Sequence, residues 1–244
     1  MRSVPGFLPA AASVARFALP ELLWSTRARW VGLGLLWPVV WPLAALLTGA
    51  PAATWEQVGG AFYLDTLIPL AALIHASRLI RGNVEARTIV YLLSRPVSRA
   101  AVFAGHFAAY LAAMLIVAVP ALVGGFLLAA PGPEGRVPEV LFRAVAAAAA
   151  ATAVYGALFG FLGLVLRKPL VIGLLVLFGW ELLANGPGLL PRVTLTAQIR
   201  TLAGVGEAVP GLTLAAAAIT LAVMAATFLA ASLVVFKYGE WVPE

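Results

Sequence analysis

Residues 100–130 read AAVFAGHFAAYLAAMLIVAVPALVGGFLLAA and contain no aspartate, glutamate, lysine or arginine. An α-helix rises about 1.5 Å per residue, so about 20 apolar residues cross the roughly 30 Å hydrocarbon core of a bilayer. This stretch exceeds that length, and we expect its helix to tilt or to extend beyond the bilayer. It predicts a transmembrane helix and decides the class of protein.

The composition of the whole chain agrees with a membrane protein. Of its 244 residues, 63% are apolar and 11% are charged, and the mean hydropathy is +1.01. Too few polar side chains are present to cover a water-soluble globule of this size. We therefore predict an all-α integral membrane protein with six transmembrane helices. The five further apolar stretches are Trp30–Thr48, Gly60–Ile80, Leu141–Leu166, Leu170–Leu190 and Leu212–Phe236.

The segments that flank the spans complete the predicted organisation. Residues 1–29 form an N-terminal cytoplasmic segment, in which apolar residues alternate with Arg16 and Glu21. This pattern is typical of an amphipathic helix on the membrane surface, and a flexible N-terminus is the alternative. Residues 30–237 form the six-helix transmembrane domain, and residues 238–244 form a cytoplasmic tail.

Breaks and small residues shape the predicted spans. The run Asn185-Gly186-Pro187-Gly188 interrupts the fifth span, and we expect a half-helix or a re-entrant turn near residues 185–200. Gly156 and Gly160 let helices approach closely on the fourth span, and we favour packing within this chain over a dimer seam. Prolines within spans are expected to kink their helices. These are Pro38, Pro42, Pro69 and Pro120.

The basic residues orient the chain. The net charge is +6 and the pI is about 10.3. Because the basic residues flank apolar spans, anionic lipid headgroups and the positive-inside rule explain them better than nucleic acid does. With the N-terminus inside, twelve of the sixteen lysines and arginines are cytoplasmic, and both termini are predicted to be cytoplasmic. The cytoplasmic set is Arg2, Arg16, Arg27, Arg29, Arg78, Arg81, Arg87, Arg95, Arg99, Arg167, Lys168 and Lys237, and the outer set is Arg136, Arg143, Arg192 and Arg200.

Sequence motifs of catalysis are missing from the chain. It has no cysteine, no GxxxxGK[ST] phosphate loop, no HExxH motif and no GxSxG elbow. We therefore assign no catalytic residue and no metal ligand, and predict that the chain is not an enzyme. Any energy source that drives this protein must come from outside the chain or from an ion gradient.

Two acidic residues lie within predicted spans, Asp65 in the second and Glu181 in the fifth. An ionised carboxylate in hydrocarbon is costly, so such residues usually face a cavity, a pathway or a partner. Asp65 lies early in its span, and we expect it to be wetted at the outer interface. For Glu181 the two interpretations, wetted or functional, stay open.

The cytoplasmic stretch between the second and third spans predicts a short amphipathic helix. Asn83 can cap a helix over Val84–Leu93, and Glu85 lies near its positive N-terminal end. Ser94-Arg95-Pro96 ends it, and Ser98 can cap the third span. Such a helix either docks into a groove on a cytosolic partner or contacts lipid at the interface.

This stretch resembles the signature of ABC-2-type transporter permeases. The run Glu85…Tyr91-Leu92-Leu93-Ser94-Arg95-Pro96-Val97-Ser98-Arg99 followed by Gly105-His106-Phe107 is similar to E-x-x-x-G-T-x-x-x-L-L-S-x-P-V-S-R and a G-K-x motif. The likeness is greatest to the permeases of the copper-site maturation and multidrug-export branches. Arg87-Thr88 replaces the glycine-threonine pair, and His106 stands where lysine is usual.

The resemblance implies the partners and the site. Such a permease works with two copies of a separate ABC ATPase, which bind ATP and Mg²⁺, and with a second permease copy in a homodimer or a mixed pair. No cofactor is expected in this chain. Residues 83–99 correspond to the coupling helix and residues 7–26 to the connecting helix. The implied ATPase-coupling residues are Glu85, Arg87, Leu92, Ser94, Arg95, Pro96, Ser98 and Arg99.

We therefore predict the permease subunit of an ATP-driven ABC-2-type exporter in a bacterial or archaeal inner membrane. It would form the translocation pathway and contact membrane lipids. One alternative is a secondary transporter driven by an ion gradient through Asp65 or Glu181, and another is a membrane scaffold that transports nothing. Spans rich in alanine, leucine and aromatic residues favour an apolar or amphipathic cargo, and the sulfur species of the maturation branch stays open.

Overall fold

A computed structural model describes residues 6–49, 56–79, 82, 97–129, 137–180, 190–206 and 209–239. In these ranges 88% of the residues are helical and none is in a strand. The all-α class is thereby confirmed for the described part of the chain.

The described ranges contain nine α-helices and three further helical segments of π or 3₁₀ type. The α-helices are α1 (Phe7–Trp24), α2 (Thr26–Leu35), α3 (Trp37–Thr48), α4 (Ile68–Ala76), α5 (Arg99–Leu128), α6 (Val137–Val165), α7 (Pro169–Leu175), α8 (Leu195–Ala203) and α9 (Leu214–Tyr238). A π-helical segment, Glu56–Leu67, leads into α4, and a second one, Val176–Trp180, continues α7. A 3₁₀ turn, Leu190–Val193, precedes α8.

Three of these helices, α5, α6 and α9, are long and apolar enough to cross a membrane. The pair α2 and α3 passes the same test as one unit bent by 53°, which makes up to four spans among the described residues. The second and fifth predicted spans are represented by the shorter apolar helices Phe62–Ala76 and Pro169–Trp180. The chain is a multi-pass membrane protein, and the count of six spans stays a prediction.

Hydroxyl side chains begin the helices where the sequence changes from loop to apolar span. Ser25 Oγ accepts a hydrogen bond from the Ala28 amide at 3.2 Å at the start of α2, and Thr213 Oγ1 accepts one from the Ala216 amide at 3.2 Å at the start of α9. Each satisfies one of the amides that the first helical turn leaves without a partner.

The bend between α2 and α3 lies beside a proline, as predicted. Leu36 ends the hydrogen-bond ladder of α2, and Pro38 has no amide with which to continue it. Pro38 is buried against α5, where a Cβ added to Gly125 would lie 2.6 Å from the Pro38 Cβ. The bend thus fits the chain around a glycine of α5.

Small residues bring the central helices together within this chain. Ala144, Ala147, Ala148 and Ala151 of α6 are fully buried. A Cβ added to Gly156 would overlap the Tyr110 ring of α5. The prediction that Gly156 serves packing inside the chain is confirmed.

The predicted N-terminal helix forms as α1 and packs along the first turns of α5. A Cβ at Gly105 would lie 2.6 Å from the Ala11 carbonyl oxygen and 2.6 Å from the Val14 Cβ. Away from this contact, Phe17 of α1 is 82% exposed and Leu8 is 76% exposed. Location on the membrane surface stays a prediction for this helix, and its exposed apolar side chains agree with it.

Candidate functional site

The two ends of the helical bundle carry the polar side chains of interest. Ser98, Arg99 and Lys237 lie at one end, here called the Arg99 end. Helix α9 spans 25 residues, a length of about 37 Å. Its N-terminus, which follows α8 in the chain, therefore lies at the opposite end of the bundle, here called the Arg200 end.

At the Arg99 end, Ser98 starts the longest described helix. Ser98 Oγ accepts a hydrogen bond from the Ala101 amide at 3.2 Å, and the extended backbone of Ser98 turns the chain into α5. The prediction that Ser98 caps the third span is confirmed. The segment immediately before α5 is consequently joined to a helix that runs 30 residues through the bundle.

Arg99 binds the C-terminal end of α9. Its Nη1 donates to the Lys237 carbonyl at 3.0 Å and to the Gly239 carbonyl at 3.3 Å. The last carbonyls of a helix carry partial negative charge and have no intrahelical donor, so a guanidinium there is favourable. Arg99 thus ties the start of the third span to the end of the last one, a role that the sequence pattern did not reveal.

Six of the eight predicted ATPase-coupling residues lie outside the described ranges. These are Glu85, Arg87, Leu92, Ser94, Arg95 and Pro96. Glu181 also lies outside the described ranges. Their roles stay predictions.

His106, which stands where the resembling permeases have lysine, is turned into the protein. Its side chain is buried, and Nδ1 lies 2.9 Å from the Val102 carbonyl oxygen of the preceding turn. Phe103 and Phe107 lie beside it in α5 with their rings stacked at 6.4 Å. His106 is therefore part of the core of the bundle.

At the Arg200 end, Asp65 forms an ion pair with Arg200 of α8. The Asp65 Oδ2 atom accepts from Arg200 Nε at 2.7 Å and lies 2.6 Å from Nη2, which is a two-point contact with the guanidinium. The Asp65 side chain is 10% exposed and that of Arg200 is 26% exposed.

The expectation that water satisfies Asp65 at the outer interface is wrong. The carboxylate is largely enclosed, and a guanidinium stabilises its charge. The cause is tertiary, because Arg200 is separated from Asp65 by 135 residues. An enclosed carboxylate requires a cation or donors nearby, since burying an unpaired charge is costly.

The π-helical segment that carries Asp65 is itself bound to α5. Two residues before Asp65, the fully buried Tyr63 donates a hydrogen bond from its hydroxyl to the Ala118 carbonyl at 3.1 Å. π-Helices are rare, and they occur often at functional sites. Asp65 therefore lies on a π-helical segment that the Tyr63 hydrogen bond fixes to α5.

Helix α8 has defined ends and carries two buried polar side chains, Thr196 and Gln198. Thr194 Oγ1 accepts from the Ala197 amide at 3.3 Å at its start, and Gly204, with φ of +70°, ends it in the left-handed conformation. The Gln198 amide donates from Nε2 to the Arg192 carbonyl at 2.7 Å. The Thr196 hydroxyl meets the Tyr155 hydroxyl of α6 at 3.3 Å.

Two buried tyrosines extend this contact through the bundle. The Tyr110 hydroxyl of α5 donates to the Thr152 carbonyl of α6 at 3.0 Å, and Tyr155 lies one turn further along α6 beneath α8. Among the described residues, no group of three or more His, Asp or Glu side chains is arranged to hold a metal ion.

The sequence is similar to one known family over most of its length. A family model described as ABC-2 family transporter protein matches residues 39–241. No match to a curated protein was found. The matched range includes the predicted coupling segment, Asp65 and α8, and it leaves α1 outside.

Proposed function

The chain belongs to the ABC-2 transporter family, and from that premise we propose that this membrane permease is the transport subunit of an ATP-driven exporter. In this proposal it pairs with a second permease copy and with two separate ATPase subunits. ATP and Mg²⁺ bind to the ATPase subunits, because the chain itself contains no phosphate loop.

The observation that carries this proposal is the junction at the Arg99 end. The predicted coupling helix, residues 83–99, leads directly into α5, which Ser98 caps. Arg99 joins the same point to the end of α9. A force applied to residues 83–99 by a closing ATPase would therefore act on two long membrane helices at once.

In this proposal the chain spans a bacterial or archaeal inner membrane with both termini in the cytoplasm. The Arg99 end then faces the ATPase, and the Arg200 end faces outward. Spans rich in alanine, leucine, valine and aromatic residues favour an apolar or amphipathic cargo, because they offer few polar side chains to recognise a sugar or an ion.

The test is co-purification of the tagged chain with the ATPase encoded beside it, followed by ATP turnover in nanodiscs. We expect a complex of two permeases with two ATPases and vanadate-sensitive turnover. The double variant Glu85→Ala/Arg95→Ala should lose ATPase binding or turnover. The matched control is Glu139→Ala/Arg143→Ala, which removes an exposed pair of the same charges, joined at 2.8 Å on α6.

The outcomes separate the proposal from its alternatives. If both double variants bind and stimulate the ATPase like the unmodified chain, residues 85 and 95 are not at the interface. If no ATPase binds, the exporter proposal fails. Proton or sodium flux through liposomes that contain this chain alone would then support the secondary transporter, and ATP-independent binding of another protein would support the scaffold.

A further inference from the structure

The ion pair between Asp65 and Arg200 joins a π-helical segment to a short α-helix. Asp65 belongs to the π-helical start of the second apolar helix, which Tyr63 anchors to α5. Arg200 belongs to α8, a helix of 9 residues that is too short to cross a bilayer. The ion pair thus connects a segment that is fixed to α5 with a short helix at one end of the bundle.

We propose that Asp65 and Arg200 form a latch that holds α8 over the Arg200 end of the bundle, and that the latch opens during the transport cycle. The inference rests on the proposed function for its second half, because the opening would be driven by ATP. Both residues are positioning residues in this proposal, since they act on α8 and not on the cargo.

The burial of the pair suits a bond that breaks and reforms. Fully exposed ion pairs contribute little, and fully buried ones are costly to separate. Asp65 is 10% exposed and Arg200 is 26% exposed, so the pair is shielded from most water while one side of the guanidinium can still be hydrated. Residues 195–199 of α8 are buried, so the pair becomes hydrated only when α8 moves away from the bundle, and this hydration lowers the cost of separating the charges.

On the C-terminal side of α8, two glycines hold left-handed backbone angles. The chain leaves α8 through Gly204 and reaches α9 through Gly211, with φ values of +70° and +76°. Glycine adopts these angles without a Cβ clash, so the backbone can change direction there.

The alternative is a static tie that contributes to folding and never opens. The two differ in a measurable way, because a latch that opens exposes the face of α8 that contacts α6. Thr196 lies on that face, is 4% exposed and contacts Tyr155. The chain contains no cysteine, so Thr196→Cys would be a unique reporter.

The experiment measures the labelling rate of Thr196→Cys by a membrane-impermeant maleimide in nanodiscs, where both membrane faces are accessible. The reporter is combined with Asp65→Asn, with the charge exchange Asp65→Arg/Arg200→Asp, and with Glu139→Gln as the control that breaks a different acid–arginine pair. Each is measured with the ATPase, without nucleotide and with ATP plus vanadate. Size-exclusion profiles identify any variant that fails to fold.

Slow labelling is expected without nucleotide, with a rise of at least about fivefold in ATP plus vanadate. Asp65→Asn should label fast without nucleotide, the charge exchange should restore slow labelling, and Glu139→Gln should match the reporter alone. Equal rates with and without nucleotide in a complex that turns over ATP would overturn the opening step. A slow rate in Asp65→Asn would overturn the latch itself.

Failure of the proposed function gives a different result. If no ATPase co-purifies, the exporter proposal has failed, and the nucleotide-free comparison of Asp65→Asn with the charge exchange still decides whether the pair holds α8 closed.

Discussion

The ring of Tyr110 occupies the space that Gly156 leaves on the facing helix. A Cβ at Gly156 would lie 2.8 Å from the Tyr110 Cζ, and the hydroxyl of the same tyrosine donates to the Thr152 carbonyl at 3.0 Å. The ring therefore cannot move aside without losing a buried hydrogen bond. This contact sets the distance between α5 and α6 at the centre of the bundle.

Gly156→Ala is expected to destabilise the protein by about 1–3 kcal/mol, because the added methyl group overpacks a filled contact. The effect is measured by heating the detergent-solubilised protein and monitoring its unfolding by size-exclusion chromatography. Gly160→Ala is the control, because the atoms nearest to its new Cβ would be 4.0 Å away. Equal loss of stability in both variants would contradict the close packing at Gly156.

Arg99→Gln is expected to loosen the C-terminal end of α9, because the guanidinium that binds the Lys237 and Gly239 carbonyls is lost. A hydrogen bond to a charged group contributes about 1.5–3 kcal/mol where it is shielded, and this exposed pair should contribute less. Hydrogen exchange should become faster at the backbone amides near residues 236–239. The control is Arg16→Gln, which changes an exposed arginine of α1. If the amides near residues 236–239 exchange at the same rate in both variants, Arg99 does not stabilise the end of α9.

Thr196→Val is expected to cost about 1–3 kcal/mol of stability, because it removes a hydrogen-bonding partner of the buried Tyr155 hydroxyl. Tyr155→Phe should cost less, about 0.5–1.5 kcal/mol. In the unfolded chain the tyrosine hydroxyl bonds to water, so the net gain from its hydrogen bond in the folded protein is small. A double-mutant cycle on the two residues gives the coupling energy. Tyr238→Phe, at a tyrosine that is 73% exposed, is the control. Strictly additive effects would show that the hydroxyls do not interact.

The proposed orientation predicts which single cysteines react from outside the cell. The chain has no native cysteine, so each introduced one reports alone. A membrane-impermeant maleimide applied to intact cells should label Glu139→Cys and leave Ser13→Cys and Lys237→Cys unlabelled. All three positions are exposed, so access to the reagent depends on the side of the membrane. The reverse pattern would invert the topology.

Hydrophobic patterning predicted the long helices well. The third and sixth spans were placed at residues 100–130 and 212–236, and the helices run over Arg99–Leu128 and Leu214–Tyr238. The cap at Ser98 was also predictable, since it depends on a residue and the amide three positions later. The second and fifth spans were less predictable, because π-helical segments occupy part of each and have no distinct sequence signal.

The amino-acid sequence by itself determined that this is a helical membrane protein, where its main helices begin, and the motif that resembles a coupling segment. These properties depend on composition and on neighbours within a few positions. Only the tertiary structure decided that Arg200 binds Asp65 and that Arg99 binds the end of α9, because the partners lie 135 and 138 residues apart. No local pattern specifies such pairs: the packing of glycines and alanines brings the helices together, and a poorly hydrated charge must then find a partner among the side chains that this packing places nearby.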